Sequence, residues 1–290
     1  MIKRLLGSGF GLMVASAFFF TLANVAIKFL SPSTGIMEMA FFRFAVGAVI
    51  LLALMVPGRI PLRGSQTLVL LVRGATGFLA FLCFLKSVAM IPLANATVLL
   101  YTFPVFATFF SVLLLREPVS KWEIVLIGAG LLGIYLLIDP SFQRCNVGEL
   151  FGVLSACFAG IAVVLVRTLV ETHGTLIIYF YFCLVGTVVS LPSFLGGIRM
   201  LSFQQLSLLV LLGLTFLIGQ LLMNRGFRLC KASEGSVILM SELIFTAIAG
   251  VVVFREVLSR GFLVGALLVL GSGVGLNWIN RRSRRLVARS

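Results

Sequence analysis

Residues 84–121 read FLKSVAMIPLANATVLLYTFPVFATFFSVLLLREPVSK, and residues 223–260 read MNRGFRLCKASEGSVILMSELIFTAIAGVVVFREVLSR. The two stretches align without a gap when the first is moved by 139 positions. Identical residues then include the pairs Val98 and Val237, Phe106 and Phe245, Val112 and Val251, Arg116 and Arg255, Glu117 and Glu256, and Ser120 and Ser259. This internal repeat predicts two related halves.

Apolar stretches of the length of a membrane-spanning helix fill both halves. They cover residues 8–30, 36–56, 67–89, 93–115, 121–138, 148–169, 175–195, 203–227, 232–254 and 260–279. In hydrocarbon a span must satisfy its own backbone hydrogen bonds, and none of these stretches alternates like a barrel strand, so each is predicted to be a helix. The prediction is an all-α integral membrane protein of ten transmembrane helices.

The halves are expected to be five-helix repeats at residues 1–140 and 141–280, followed by a basic cytoplasmic tail at 281–290. Because five is an odd number, the second repeat must enter the membrane from the opposite side. Inverted repeats of this kind are typical of secondary transporters that work by alternating access.

Composition agrees with a membrane protein. The chain is 60% hydrophobic and only 11% charged, with a mean hydropathy of +1.17, whereas soluble domains carry roughly a quarter charged residues. The net charge of +14 comes from Lys and Arg placed mostly between the apolar stretches and in the tail. We interpret it as a topology signal that puts both termini in the cytoplasm of an inner membrane, with lipid as a partner and no nucleic acid.

Groupings typical of enzymes or metal sites are not found in the sequence. The chain has one histidine, His173, and five scattered cysteines, so no catalytic residue, metal site or cofactor is expected. Residues 128–133 match a dinucleotide-binding fingerprint, but they lie inside an apolar stretch. We interpret these glycines, with Gly271, Gly273 and Gly275, as packing surfaces of the fifth and tenth spans, either within the monomer or between monomers.

Glu242 is the leading candidate for a functional site. Ten residues into a helix that starts near Ala232, it would lie about 15 Å deep, close to the midplane. A carboxylate at that depth is costly and therefore expected to have a purpose. It could counter a cationic or zwitterionic solute, or carry a proton, which makes protons a candidate coupling ion. The alternative is a static ion pair with Arg43.

Other polar residues inside the spans extend the candidate set. Arg43, seven residues into its span, either binds an anionic group or serves as a structural partner for a carboxylate or for helix-end carbonyls. Asn24 and Lys28 are four residues apart and share a helix face; Lys28 either reaches the outer interface or meets Glu38. Glu234 is expected to cap a helix.

The fourth and eighth spans add further candidates. Pro104 is expected to kink or loosen the fourth span, because it cannot donate a backbone hydrogen bond. Tyr101, nearly one turn earlier, could then offer its hydroxyl to a central cavity. Gln220 and Asn224 share a face of the eighth span, where contact with another helix and contact with a solute are equally open.

These residues resemble motifs of the EamA-type family of the drug/metabolite transporter superfamily, and the resemblance covers almost the whole chain. The matching stretches are Phe20–Lys28, Phe42–Phe44, Pro104–Phe106 leading to Arg116-Glu117, and Ser241–Leu243 leading to Arg255-Glu256. The chain departs from the family pattern in lacking a tryptophan near Phe20, in carrying Leu243 in place of a proline, and in carrying arginine in place of glycine before both turn glutamates.

The resemblance implies ten helices in two inverted repeats around a cavity lined mainly by the first, third, fourth, sixth, eighth and ninth spans. It also implies secondary active transport of a small metabolite, such as an amino acid, an amino-acid derivative or an S-adenosylmethionine-like solute. The rival hypothesis is a non-transporting membrane scaffold or sensor. Direction of transport, and whether the protein is a monomer or a homodimer, stay open.

Overall fold

The computed structural model describes residues 9–59, 64–115, 121–137, 147–169, 172–196, 201–229, 238–239, 241–257 and 260–287. Within these residues the regular structure is helical, and no strand occurs. The helices are α1 (Gly9–Leu30), α2 (Ile36–Met55), α3 (Thr67–Met90), α4 (Leu93–Leu100), α5 (Phe103–Leu115), α6 (Lys121–Leu137), α7 (Val147–Leu169), α8 (Thr175–Gly196), α9 (Phe203–Leu229), α10 (Ser241–Phe254) and α11 (Arg260–Val287).

The predicted span 93–115 is divided at Tyr101 and Thr102 into α4 and α5. Pro104 is the second residue of α5, and it has no N–H to donate to the preceding turn. Thr102 instead donates its N–H to the carbonyl of Leu99, at 3.1 Å, which tightens the end of α4. A proline is well tolerated in the first turn of the helix that follows.

Two other helices differ in extent from the predicted spans. The described part of the span predicted at 232–254 consists of residues 238–239, which are helical, and of α10, which begins at Ser241; residues 231–237 and 240 lie outside the described residues, and so does Glu234. The last helix, α11, continues to Val287, so most of the predicted tail is helical. Arginine is a good helix former and is favoured near a helix C-terminus, which explains the extension.

Seven helical segments among the described residues are long and apolar enough to cross a membrane: Gly9–Leu30, Ile36–Met55, Thr67–Met90, Leu93–Leu114, Val147–Val166, Thr175–Gly196 and Phe203–Gly226. Three shorter apolar stretches accompany them, Ile124–Gly133, Ser241–Phe254 and Gly261–Ser272. Large apolar side chains are exposed along the outer faces of these helices, Val252 and Leu267 among them. Such a surface suits lipid and not water, so the chain is a multi-pass membrane protein.

Most of the packing lies in four helix pairs: α1 with α9, α3 with α7, α2 with α8, and α6 with α11. The α1–α9 and α3–α7 pairs are antiparallel, because residues late in one helix meet residues early in the other. The contacts that define these directions are Met13 with Gly226 and Phe20 with Phe216 for the first pair, and Ala80 with Ser155 and Ser87 with Gly152 for the second.

Helix α10, from the second half of the chain, packs on both α1 and α4, which belong to the first half. It runs parallel to α1 and antiparallel to α4, whereas α7 runs parallel to the α4–α5 segment. The contacts are Phe18 with Phe245 and Phe29 with Phe254 between α1 and α10, Ala94 with Gly250 and Tyr101 with Glu242 between α4 and α10, and Leu99 with Gly152 and Phe106 with Gly160 along α7.

Glycine allows α6 and α11 to approach backbone to backbone. A Cβ added at Gly133 would lie 3.0 Å from the carbonyl oxygen of Gly265 and 3.1 Å from the backbone nitrogen of Val269. Gly130 and Gly275 also lie in this interface, against Ser272 and Leu126 respectively. Gly128 and Gly271 face open space instead. Packing within the monomer therefore involves Gly130, Gly133 and Gly275, and packing between monomers stays a prediction for Gly128 and Gly271.

Gly133→Ala should lower the thermal unfolding midpoint of the purified protein in detergent. The added methyl group meets backbone atoms that cannot rotate away, and overpacking of this kind destabilises by about 1–3 kcal/mol. Gly128→Ala is the matched control, because nothing lies within 4 Å of its added Cβ. Equal midpoints for the two variants would contradict this account of the α6–α11 interface.

Candidate functional site

The carboxylate of Glu242 lies where α10 meets α1 and the end of α4, and only 6% of the residue is exposed. Asn24 of α1 donates its side-chain amide to Oε1 at 2.9 Å, and the hydroxyl of Tyr101 donates to Oε2 at 2.6 Å. Both donors are uncharged, and the Asn24 residue is 2% exposed. The carboxylate is therefore fixed in position by hydrogen bonds while its charge has no cationic partner among the described residues.

Two helix ends meet at this carboxylate. Tyr101 follows the last residue of α4, where the segment breaks before α5, and Glu242 is the second residue of α10. The sequence placed Glu242 well inside a helix; in the described chain it lies in the first turn of α10. A carboxylate in the first turn of a helix is on the side that the helix dipole favours for negative charge.

One face of α1 carries the polar contacts to α10. Asn24 binds Glu242, and Thr21, nearly one turn earlier, has its hydroxyl 3.4 Å from that of Thr246. Lys28, one turn later, continues the same face, as its four-residue spacing from Asn24 predicts. Polar side chains thus occupy this face of α1 between Phe18 and Phe29, which pack on Phe245 and Phe254.

Lys28 forms an ion pair with Glu256 and not with Glu38. Its Nζ atom lies 3.7 Å from Oε1 of Glu256 and donates to the backbone carbonyls of Val88 and Ile91, at 3.0 and 2.8 Å. Glu38 instead accepts the N–H of the residue before α2. A lysine at this end of α1 satisfies the carbonyls at the end of α3 and pairs with Glu256, so the predicted pairing with Glu38 is not formed.

Glu256 also closes the start of α4. Its carboxylate accepts the N–H of Leu93 at 2.7 Å and that of Ala94 at 3.4 Å, the position where a helix favours negative charge. The chain turns back for this contact through Arg255, whose φ of 54° lies in the left-handed region. Glycine adopts that region most easily, which explains why the family motif has glycine where this chain has arginine.

Glu256→Ala should lower the free energy of unfolding by about 1–3 kcal/mol, because the N–H groups at the start of α4 lose their acceptor and Lys28 loses its carboxylate. Thermal and denaturant unfolding of the purified protein measure the change. Arg255→Ala is the matched control, since it alters the exposed neighbouring residue and keeps a Cβ at the same backbone position. A Glu256→Ala protein as stable as this control would contradict the role given to the carboxylate.

Arg43 lies among phenyl rings instead of beside a carboxylate. The Cζ atom of its guanidinium is 3.7 Å from the ring centre of Phe81 and 4.0 Å from that of Phe216, with Phe44 and Phe182 at 4.7 and 5.4 Å. Its Nη1 atom is buried and has no hydrogen-bond partner. The predicted alternative, an ion pair of Glu242 with Arg43, is not formed among the described residues.

Gln220 and Asn224 are both partly buried on α9. The structure gives neither side chain a hydrogen bond to the residues that it describes, so their capacity is unused there. In the sequence, Gly219 lies between Phe216 and Gln220, and it packs against the ring of Phe20 on α1. These amides therefore lie close to the α1–α9 contact, and contact with a solute remains a prediction for them.

Sequence reasoning did not select several residues of this region. It gave Arg73 no role beyond an intramembrane or interfacial position and a loose resemblance of Arg73-Gly74 to family members that handle S-adenosylmethionine-like solutes, and it did not name Phe81, Phe182 or Phe216. A spacing signal was available, because Arg73, Gly77 and Phe81 are four residues apart and share one face of α3. The partner role of Glu256 was also missed, since the sequence shows that glutamate only as part of a turn motif.

The geometry defines a multi-pass helical membrane protein with a buried polar centre where α1, α4 and α10 meet. Comparison with known families identifies which class of such proteins it is: the EamA-like transporter family matches residues 7–139 and again residues 146–278. The chain therefore belongs to the EamA-like transporter family. Membership makes it a membrane transporter in the general sense of the family.

Individual relatives are also transporters by name. The chain is 31% identical over 279 residues to the pseudopaline exporter CntI of Pseudomonas aeruginosa (strain UCBPP-PA14), covering 96% of this chain and 98% of that protein. It is 25% identical over 250 residues to the S-adenosylmethionine uptake transporter of Rickettsia bellii (strain RML369-C), covering 85% of each. A crystal structure with 18% identity superposes with a TM-score of 0.63 over 93% of this chain and 97% of its own, which shows a shared fold.

Proposed function

We propose that this protein is a secondary active transporter that moves a small polar metabolite across the inner membrane by alternating access. The observation that carries the proposal is the sharing of one buried carboxylate between the two halves. Asn24 and Tyr101 belong to the first half of the chain, and Glu242 belongs to the second. A site held jointly by two halves changes its access when the halves move relative to each other.

The proposal includes two inverted five-helix repeats, at residues 1–140 and 141–280. Support comes from the directions of contacting helices. Helix α7 runs parallel to α4–α5, α4 runs antiparallel to α10, and α10 runs parallel to α1; it follows that α7 and α1 run in opposite directions. Helix α7 occupies the position in the second half that α1 occupies in the first, when the sequence is moved by 139 residues.

The packing pairs supply independent support for a repeat. Exchanging each predicted span of the first half with its counterpart in the second turns the α1–α9 pair into the α7–α3 pair. The same exchange turns α1–α10 into α7–α5, and it leaves α2–α8 and α6–α11 unchanged as pairs. All of these helices are in contact, so the packing has the two-fold pattern that a repeat requires.

Glu242 is the residue to which we assign coupling or solute binding. Its uncharged partners orient the carboxylate without neutralising it, so a cationic group of a solute or a proton can take the remaining place. We place the solute among amino acids, amino-acid derivatives and S-adenosylmethionine-like molecules, and the name of one relative, an S-adenosylmethionine uptake transporter, supports the last of these. The relatives include both an exporter and an uptake transporter, so either direction of net transport is compatible with the family.

We assign the Lys28–Glu256 cluster to closure of one end of the transport path. The cluster joins α1 and the α3–α4 connection to the turn after α10. We assign this end of the helix bundle to the outer side of the membrane because Lys and Arg are concentrated at the opposite end. For a solute to pass, these contacts must separate while the contacts at the other end form. Both termini are then cytoplasmic.

Glu242→Gln should reduce transport at least tenfold in proteoliposomes, because the neutral amide keeps the shape of the side chain and removes its charge. Uptake and counterflow of radiolabelled S-adenosylmethionine and of the twenty amino acids are measured, with and without an imposed pH gradient. Unfolding midpoints and elution profiles establish that the variant is folded.

The matched control is Glu38→Gln, which neutralises a carboxylate that caps α2 instead of joining the halves. Transport by Glu242→Gln at the rate of this control would remove Glu242 from the mechanism. If the wild-type protein binds one of these solutes but moves none of them, the rival hypothesis of a membrane sensor replaces the transporter.

A further inference from the structure

Two arginines lie close to one phenyl ring, that of Phe182, in the interior of the helix bundle. The guanidinium Cζ atom of Arg73 is 4.3 Å from the ring centre of Phe182, and that of Arg43 is 5.4 Å from the same centre. Arg43 comes from α2 and Arg73 from α3. Neither guanidinium lies within ion-pair distance of a carboxylate among the residues that the structure describes. Positive charge is thus concentrated here without compensation from those residues.

The arginine N–H groups are also unsatisfied. Nη1 of Arg43 and both Nε and Nη1 of Arg73 are buried without a hydrogen-bond partner. Each buried donor left unpaired costs about 1–3 kcal/mol, and more for a charged group. Nearby phenyl rings stabilise the cations through the faces of the rings but accept no hydrogen bond in the guanidinium plane. The edges of both guanidinium groups therefore lack the oxygen atoms that usually meet them.

A structural role would look different. An arginine that only ties helices together is expected to bind a carboxylate or helix-end carbonyls, as Lys28 does with Glu256 and with the carbonyls of Val88 and Ile91. Arg43 and Arg73 have neither kind of partner within the described ranges of the chain. Planar N–H edges held by aromatic rings, with their donors free, are prepared for an oxyanion that fits them in a bidentate manner.

We propose that Arg43 and Arg73 form an anion subsite that binds a carboxylate group of the transported solute. The proposal rests on the transport function proposed above and specifies the chemistry of its substrate. The missing acceptor oxygens then come from the solute, so the arginine charges are compensated only when solute is bound.

Two phenyl rings, those of Phe216 and Phe20, lie between the subsite and the surroundings of Glu242. Phe216 lies 4.0 Å from the Arg43 guanidinium, and its ring centre is 5.8 Å from that of Phe20 on α1. Phe20 is one helical turn from Asn24, which binds Glu242. Two phenyl rings therefore separate the cationic end of the site from the carboxylate end.

This separation selects the class of solute. A molecule that meets both ends carries a carboxylate for the arginines and a cationic group for Glu242, with an apolar or planar part along the rings. The compact arrangement of a simple α-amino acid, whose amine and carboxylate share one carbon, reaches only one end. An elongated amphoteric solute fits the whole site.

The test uses the full-length protein in detergent and measures the thermal unfolding midpoint against glutarate concentration, at ionic strength held constant with chloride. Glutarate should raise the midpoint with the logarithm of its concentration, as a ligand of the folded state does. Glutaramide, which keeps the carbon chain and lacks the negative charge, should not. Inorganic phosphate is the second anion tested.

Arg43→Met and Arg73→Met should weaken the glutarate response at least tenfold in apparent affinity. They should not lower the midpoint measured without anion, because each replaces an uncompensated charge by an apolar side chain that can pack on the same rings. Arg43→Lys retains a charge without the planar fork and should also weaken the response. The matched control is Arg59→Met, at an exposed arginine after α2, which should respond like the wild type.

Absence of a glutarate response in the wild-type protein, or an unchanged response in both methionine variants, would overturn the proposal. A response to phosphate without one to glutarate would overturn the assignment to carboxylate. Failure of the transport function is a separate outcome: an arginine-dependent glutarate response in a protein that moves no solute keeps the subsite and rejects the transporter. Glu242→Gln should keep the glutarate response, since it changes the other end of the site.

Discussion

The hydrogen bonds that Glu242 accepts from Asn24 and Tyr101 are the interaction on which the rest of this structure depends. A carboxylate in a membrane interior needs hydrogen-bond donors, so the helices that supply those donors must stay close to it. This requirement brings α1, the break between α4 and α5, and the start of α10 to one point. Because the donors are neutral, the contact orders these elements and still leaves a charge available for chemistry.

The charges are distributed unevenly along the described part of the protein. At one end, Lys28 and Glu256 satisfy each other and the nearby backbone groups, and the contact is structurally complete. In the interior, Glu242 has only neutral partners, and the two arginines beside Phe182 have buried N–H groups with none. Complete pairing suits a contact that closes a path, whereas incomplete pairing suits a site that a solute completes.

Much of this architecture could be predicted from sequence, because span length and hydropathy follow directly from the thickness of the bilayer. The helix beginnings at Ile36, Thr67 and Thr175 are those predicted. The contacts of the site were harder to predict. That Asn24 shares a face with Lys28 follows from spacing, but that Asn24 meets Glu242 depends on how α1 and α10 pack. The aromatic surroundings of Arg43 come from four different helices, and no local pattern reveals such a convergence.

The repeat explains the shape of the site, and the differences between its halves explain its polarity. In the 139-residue register Glu242 corresponds to Phe103, so one half contributes a carboxylate where the other contributes a phenyl ring. Arg43 and Arg73 correspond to Phe182 and Leu212, both apolar. A symmetric scaffold therefore holds a negative group from one half and two positive groups from the other. Such a site can hold a solute with two unlike ends in a single orientation, which is the arrangement that the proposed alternating-access function requires.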